Sequence, residues 1–115
     1  MAIFTAGFAW YANPIIDYLD PTGSLIQHRF FRQHATYVEE EGIFVKDLRI
    51  FKNIDLKNIM IVDNYVYSFA FHLENGIPIV PFFGEKEDTE MLKLLKYIKF
   101  MADKPDLGQY NEKVF

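Results

Sequence analysis

The sequence predicts an α/β fold class, and three observations carry that prediction. Residues 59–62 (Ile59, Met60, Ile61, Val62) are apolar with no polar alternate face, as a parallel strand buried on both sides requires. Residues 88–101 place Met91, Leu92, Leu94, Leu95, Ile98 and Met101 at helical spacing, and residues 8–19 do the same with Ala9, Ala12, Ile15, Ile16 and Leu19. Short apolar runs alternate with these helical stretches, which is the order of a layered α/β chain.

The elements follow in turn. Residues 2–5 read as a short buried strand ending in the hydroxyl of Thr5. The helix over residues 8–19 contains Pro14, which must sit in an early turn or bend it. Asp20-Pro21-Thr22-Gly23 is a strong stop and turn. Residues 25–31 and 36–38 read as strands, and Glu39-Glu40-Glu41-Gly42 as the solvated tip of a hairpin returning through residues 43–45. Residues 48–54 suggest a half-turn, and residues 65–71 a short helix. Asn75-Gly76 is a turn before a strand at 77–80, where Pro78 and Pro81 suit an edge. Asp88 is placed to cap the helix over 88–101. Residues 1–103 read as one domain and 104–115 as a polar, loosely held C-terminal tail.

Composition narrows the partners. At 115 residues the chain is one domain at most. Half of it is hydrophobic and 17% is aromatic, so either the core is aromatic or apolar surface is meant for a partner. A net charge of −4 gives no basic field with which to bind nucleic acid. The absence of cysteine excludes disulfides and thiolate metal sites and fits an intracellular setting. No run approaches the roughly 20 apolar residues that span a bilayer, and no secretory signal is visible.

Three polar residues stand at or near strand ends, where α/β sheets bind ligands. Asp63 follows the buried run 59–62. It could ligate magnesium, or it or Asn64 could cap the short helix expected over 65–71. Lys46 follows residues 43–45 and could neutralise a phosphoryl group, or pair on the surface with Asp47 or Glu41. Thr5 could bind a phosphate oxygen with the Ala6 and Gly7 amides, or cap the helix after it. The planar fork of Arg32 suits phosphate or carboxylate, or it faces solvent. His28, His34 and His72 lack metal-ligand spacing and read as structural.

These residues carry a resemblance. Ile3-Phe4-Thr5-Ala6-Gly7 with Tyr11-Ala12 and Leu19-Asp20-Pro21, then His28-Arg29-Phe30-Phe31-Arg32, Val45-Lys46-Asp47-Leu48, Ile61-Val62-Asp63-Asn64 and Asn75-Gly76-Ile77-Pro78-Ile79 appear in one order. That order resembles the haloacid-dehalogenase (HAD) superfamily, in its branch of RNA polymerase II C-terminal-domain (CTD) phosphatases and NLI-interacting-factor-like small CTD phosphatases. Each motif alone is weak; five in order are specific. The resemblance implies a HAD-like Rossmannoid three-layer domain with a small β-hairpin insertion. It also implies a magnesium-dependent phosphoserine/phosphothreonine protein phosphatase of nucleus or cytoplasm. In it Thr5 and Lys46 grip and neutralise phosphate, Arg32 and Asn64 contact substrate, and Asp63 binds magnesium.

One departure is plain: the family's nucleophile motif, Asp-x-Asp-x-Thr, occurs nowhere in the sequence. The expectation is a truncated domain without its first, central strand, inactive alone and with weakened magnesium binding. The gap would close directly, be filled by a partner's strand, or mark the chain as part of a longer gene product, which is the favoured expectation. The alternative is a non-catalytic phosphopeptide-binding or scaffold module, as in the related mitochondrial import receptor branch. Val62-Asp63-Asn64 and Val45-Lys46-Asp47 favour the phosphatase branch.

Overall fold

The computed structural model describes residues 1–114, which form two units, Met1–Asp47 and the residues from Leu48 on. In the first unit, β1 (Ala2–Phe4) runs parallel to β2 (His28–Phe30), with Ile3 opposite Arg29. The connection is α1 (Ala9–Leu19). Ala12 and Ile16 of α1 pack with Ile26 and Phe31 into a core that Ile3 and Ala9 border. Pro14 lies in the second turn of α1, where its missing N–H costs one intrahelical bond without ending the helix. Arg29 reaches from β2 to α1, donating to Asn13 at 2.9 Å and to Asp17 at 2.8 Å.

The strand expected over 25–31 is cut back to His28–Phe30, and the cause is Asp20. Its buried carboxylate accepts from the amides of Leu25 (3.0 Å) and Ile26 (2.8 Å), which removes both from the ladder. β3 (Thr36–Val38) and β4 (Ile43–Val45) form the expected antiparallel hairpin. The three glutamates lie at its tip, and Gly42 takes the left-handed conformation that closes it (φ 65°).

In the second unit, β5 (Ile61–Asp63) runs parallel to β6 (Gly76–Pro78). The helix expected over 65–71 is a 3₁₀ turn, Val66–Phe69, followed by another at Leu73–Asn75. β-branched and aromatic residues dominate there and favour a longer helix poorly. Phe69 turns inward to join Leu48 and Ile61 in the core. α2 (Glu90–Met101) starts two residues after Asp88, with Thr89 and not Asp88 at the N-cap position, and the Asp88 carboxylate accepts from the Glu90 amide at 2.9 Å.

The stretch expected as a loose tail forms α3 (Leu107–Val114), and polar groups hold it. Asn111 is 1% exposed and donates to the carbonyls of Glu74 (3.0 Å) and Gly76 (2.7 Å). The Tyr97 hydroxyl of α2 donates to the Asn111 Oδ1 at 2.6 Å. Burial, and secondarily Tyr110, pushes the Tyr97 pKa above the ordinary phenol value, so this donor keeps its proton. Lys104 lies over the rings of Phe100 and Tyr110 at the turn between the two helices. Asn111→Ala would strand two buried carbonyls and a hydroxyl. Urea denaturation is expected to show a loss of about 2–3 kcal/mol, with faster proteolysis after Lys104.

All strands are short and, among the described residues, lie in two-stranded sheets. The α/β class and the hairpin are therefore present.

Candidate functional site

The first unit assembles a polar cradle at the C-terminal end of β1. The Thr5 amide donates to the Phe30 carbonyl at 2.9 Å, which continues the parallel ladder one residue past β1. The Thr5 hydroxyl accepts from the Gly7 amide at 3.0 Å. Thr5 thus closes the turn into α1 and does not cap the helix; the N-cap position belongs to Phe8. A Cβ at Gly7 would lie 3.2 Å from that hydroxyl, so a side chain there would crowd it.

Arg32 stands beside this turn and is not left to solvent. Its backbone N–H donates to the Gly7 carbonyl at 3.0 Å, and its Nε to the Ala6 carbonyl at 2.6 Å. The guanidinium carbon sits 4.2 Å from the centre of the Phe8 ring and 4.9 Å from that of Phe44. Two aromatic faces and one carbonyl fix the plane of the fork. Its two terminal amino groups make no hydrogen bond among the described residues. A stacked guanidinium with free terminal N–H groups can take two oxygens of one phosphate or carboxylate.

The first unit therefore brings Thr5 and Arg32 to one turn. Lys46 belongs to the same unit, half-buried just past β4 and two residues beyond Phe44. Phe8 and Phe44, whose rings pack on the Arg32 guanidinium, are contacts that sequence reasoning missed. Their only signal is position, Phe8 shortly after Thr5 and Phe44 shortly before Lys46.

Asp63 and Asn64 lie in the second unit. Asp63 ends β5 and is 8% exposed, and its Oδ1 accepts from the Tyr65 amide at 2.9 Å. Asn64 next to it is exposed. One carboxylate oxygen is thus committed to the local turn, but not as the helix N-cap that the alternative expected: the N-cap position of the 3₁₀ turn Val66–Phe69 is Tyr65. Among the described residues no group of three or more His, Cys, Asp and Glu side chains is gathered to hold a metal ion. Magnesium prefers six oxygen ligands in octahedral array, of which Asp63 can supply one. Two histidines are held within the fold: His34 accepts from the Phe31 amide at 2.9 Å, and His72 is buried, whereas His28 is exposed.

The turn at Thr5, the fork at Arg32 and the carboxylate after β5 all fall within residues 1–108, which match the family model of NLI interacting factor-like phosphatases. The chain belongs to the NLI interacting factor-like phosphatase family. It is 46% identical over 107 residues to the CTD small phosphatase-like protein 3 of Caenorhabditis elegans, covering 93% of this chain and 35% of that protein. It is 45% identical over 95 residues to a probable C-terminal domain small phosphatase of Dictyostelium discoideum, covering 83% of this chain and 30% of that one. Identity with the CTD nuclear envelope phosphatase 1 of Xenopus tropicalis is 35% over 106 residues, covering 90% of this chain and 42% of that protein. The chain thus spans well under half the length of these relatives. The resemblance read from its motifs holds at the level of the phosphatase family. No helix among the described residues is long and apolar enough to cross a membrane.

Proposed function

We propose that these 115 residues are the phosphate-gripping part of a magnesium-dependent protein serine/threonine phosphatase of the CTD phosphatase type, unable to turn over substrate unaided. The observation that carries this reading is the Arg32 fork, stacked between Phe8 and Phe44 with its terminal N–H groups open. Thr5, Ala6 and Gly7 offer a polar turn beside it, Lys46 adds a positive charge, and Asn64 adds an exposed amide near Asp63. The names of the relatives support phosphatase chemistry, and the resemblance of the motifs implies a phosphoserine or phosphothreonine protein as substrate. The net charge of −4 speaks against nucleic acid as ligand. A location in nucleus or cytoplasm fits such substrates.

The parallel pairs β1–β2 and β5–β6 support a HAD-like three-layer plan, because parallel strands are stable when buried in larger sheets. The reaction needs a carboxylate to attack phosphorus and an acid to protonate the leaving alkoxide. Both come, on this reading, from an Asp-x-Asp-x-Thr strand outside these residues, in the same gene product or a partner. Asp63 would then be one ligand of a magnesium ion that otherwise binds weakly. Magnesium supplies charge stabilisation at the phosphoryl oxygens when bound. What the described residues do is bind and orient: Arg32 and Thr5 hold oxygens, and Lys46 offsets their charge.

A second reading is a non-catalytic phosphopeptide-binding module. The same observation favours it, since the fork is already fixed in place without any carboxylate cluster among the described residues. Either reading requires that Arg32 bind the phosphate. Lysine can neither stack between two rings nor span two oxygens, so Arg32→Lys is expected to weaken phosphopeptide binding roughly tenfold. Fluorescence polarisation with a labelled phosphoserine peptide measures this, and unchanged affinity removes Arg32 from the grip.

A further inference from the structure

We propose that Asn75-Gly76 is a self-modification site: the asparagine deamidates through a succinimide when α3 lifts away, and the product keeps α3 from docking again. This chemistry lies outside the phosphate grip, in the second unit. The sequence holds one Asn-Gly pair, at 75–76. Glycine after asparagine leaves the next backbone nitrogen free to turn on the side chain, because no Cβ restricts its approach. Asparagine counts among the thermolabile residues.

The step balances with water alone. The Gly76 nitrogen gives its proton to solvent base and bonds to Cγ of Asn75. The Cγ–Nδ2 bond breaks, and Nδ2 leaves as ammonia with a proton from water. Water then opens the cyclic imide at either carbonyl, leaving an aspartyl or an isoaspartyl residue.

In the folded chain every atom of that step is held. The Gly76 amide donates to the Leu73 carbonyl, and Gly76 is paired in β6 opposite Ile61. Nδ2 of Asn75 donates to the carbonyls of Leu56 (2.7 Å) and Ile59 (2.9 Å), and the residue is 2% exposed. α3 closes over this junction. A Cβ at Gly108 of α3 would lie 3.1 Å from Cγ of Glu74 and 3.6 Å from Nδ2 of Asn75. Asn111 ties the helix to the carbonyls on either side of Asn75, those of Glu74 and Gly76. A short helix held by polar groups opens ahead of the global fold, so its docking sets how often the pair is released. Packing also fixes the labile pair in place. The Phe69 ring leaves no room for a Cβ at position 76, and only a side chain with two N–H groups serves both carbonyls at position 75.

The product makes the opening permanent. An ionised carboxylate only accepts, so at position 75 it meets the Leu56 and Ile59 carbonyls acceptor to acceptor in a buried place. An isoaspartyl linkage lengthens the main chain and moves Gly76 out of register with Ile61.

Peptide mapping by mass spectrometry on the full chain, held in mildly alkaline buffer, follows the conversion, and hydrogen exchange reports the docking of α3. Asn75 is expected to convert at least about tenfold faster in denaturing urea than in native buffer. Tyr97→Phe removes one hydrogen bond to Asn111 and is expected to raise the native rate about threefold. Asn111→Ala is expected to raise it about tenfold or more, in step with lost exchange protection in α3. Asn75→Asp, which encodes one product directly, is expected to lower Tm and leave α3 unprotected. Absence of conversion in urea overturns the site, and equal rates in urea and native buffer overturn its control by the fold. A Tyr97→Phe or Asn111→Ala chain whose α3 loses protection while Asn75 converts at the wild-type rate removes α3 as the gate. An Asn75→Asp chain that keeps α3 fully protected overturns the permanence of the opening.

Discussion

Purified and supplied with magnesium, the chain is expected to hydrolyse p-nitrophenyl phosphate or a phosphoserine peptide no faster than buffer. The reasoning is chemical. A phosphomonoester in water is among the slowest-reacting biological bonds, and enzymes of ordinary turnover reach about 1–10³ s⁻¹ only by providing a nucleophile together with charge stabilisation. The sequence contains no Asp-x-Asp-x-Thr, and the buried carboxylate of Asp63 has one oxygen committed to the Tyr65 amide. On the proposed reading Arg32 and Thr5 hold the phosphate, and the carboxylate that would attack it belongs to the Asp-x-Asp-x-Thr motif, which the sequence lacks. Loss of a nucleophile typically lowers turnover by roughly three or more orders of magnitude. Adding a separate peptide that carries an Asp-x-Asp-x-Thr strand is expected to restore magnesium-dependent turnover if the chain is a catalytic part, and to change nothing if it is a binding module. Magnesium-dependent turnover by the chain alone would show that another group here serves as nucleophile.

The second large effect concerns the fold. Gly76→Ala is expected to destabilise the protein by about 3 kcal/mol or more. Gly76 has an ordinary negative φ, so its reason is space and not conformational freedom. A Cβ at that position would lie 2.0 Å from Cδ2 and 2.2 Å from Cε2 of the Phe69 ring. Phe69 is 3% exposed and wedged against Leu48 and Ile61, so it has nowhere to retreat. The same glycine supplies the carbonyl that Asn111 binds, so displacing β6 also loosens α3. Phe69→Leu placed in the Gly76→Ala background is expected to recover part of the loss, a coupling readable in a double-mutant cycle by thermal denaturation. A Gly76→Ala variant with unchanged stability would mean that β6 and the ring can separate freely.

How much of this is legible in the sequence depends on where the determining contacts lie. α1, α2 and the hairpin are readable because their signals are local: apolar residues at helical spacing, and three glutamates with a glycine between two apolar runs. The shortened β2 is not, because the carboxylate that takes the Leu25 and Ile26 amides belongs to Asp20, which reads as a simple turn residue. α3 is hidden for a different reason. Its few apolar residues give no strong periodic signal, and its docking rests on the amide of Asn111 reaching carbonyls on the distant 74–76 turn. Thr5, Lys46 and Asp63 are legible as polar residues at or just past strand ends, because each follows a short apolar run. The sandwich around Arg32 is not, because Phe8 and Phe44 lie far from it in sequence and look like ordinary core residues there.

The central claim is that the turn at Thr5 and the fork at Arg32 exist to hold a phosphate. Isothermal titration of a phosphoserine peptide and its unphosphorylated twin into the chain tests it most directly. Charge-assisted hydrogen bonds from the fork are expected to make the phosphopeptide bind at least about tenfold more tightly, a preference that Arg32→Ala abolishes. Equal affinity for the two peptides would contradict the account.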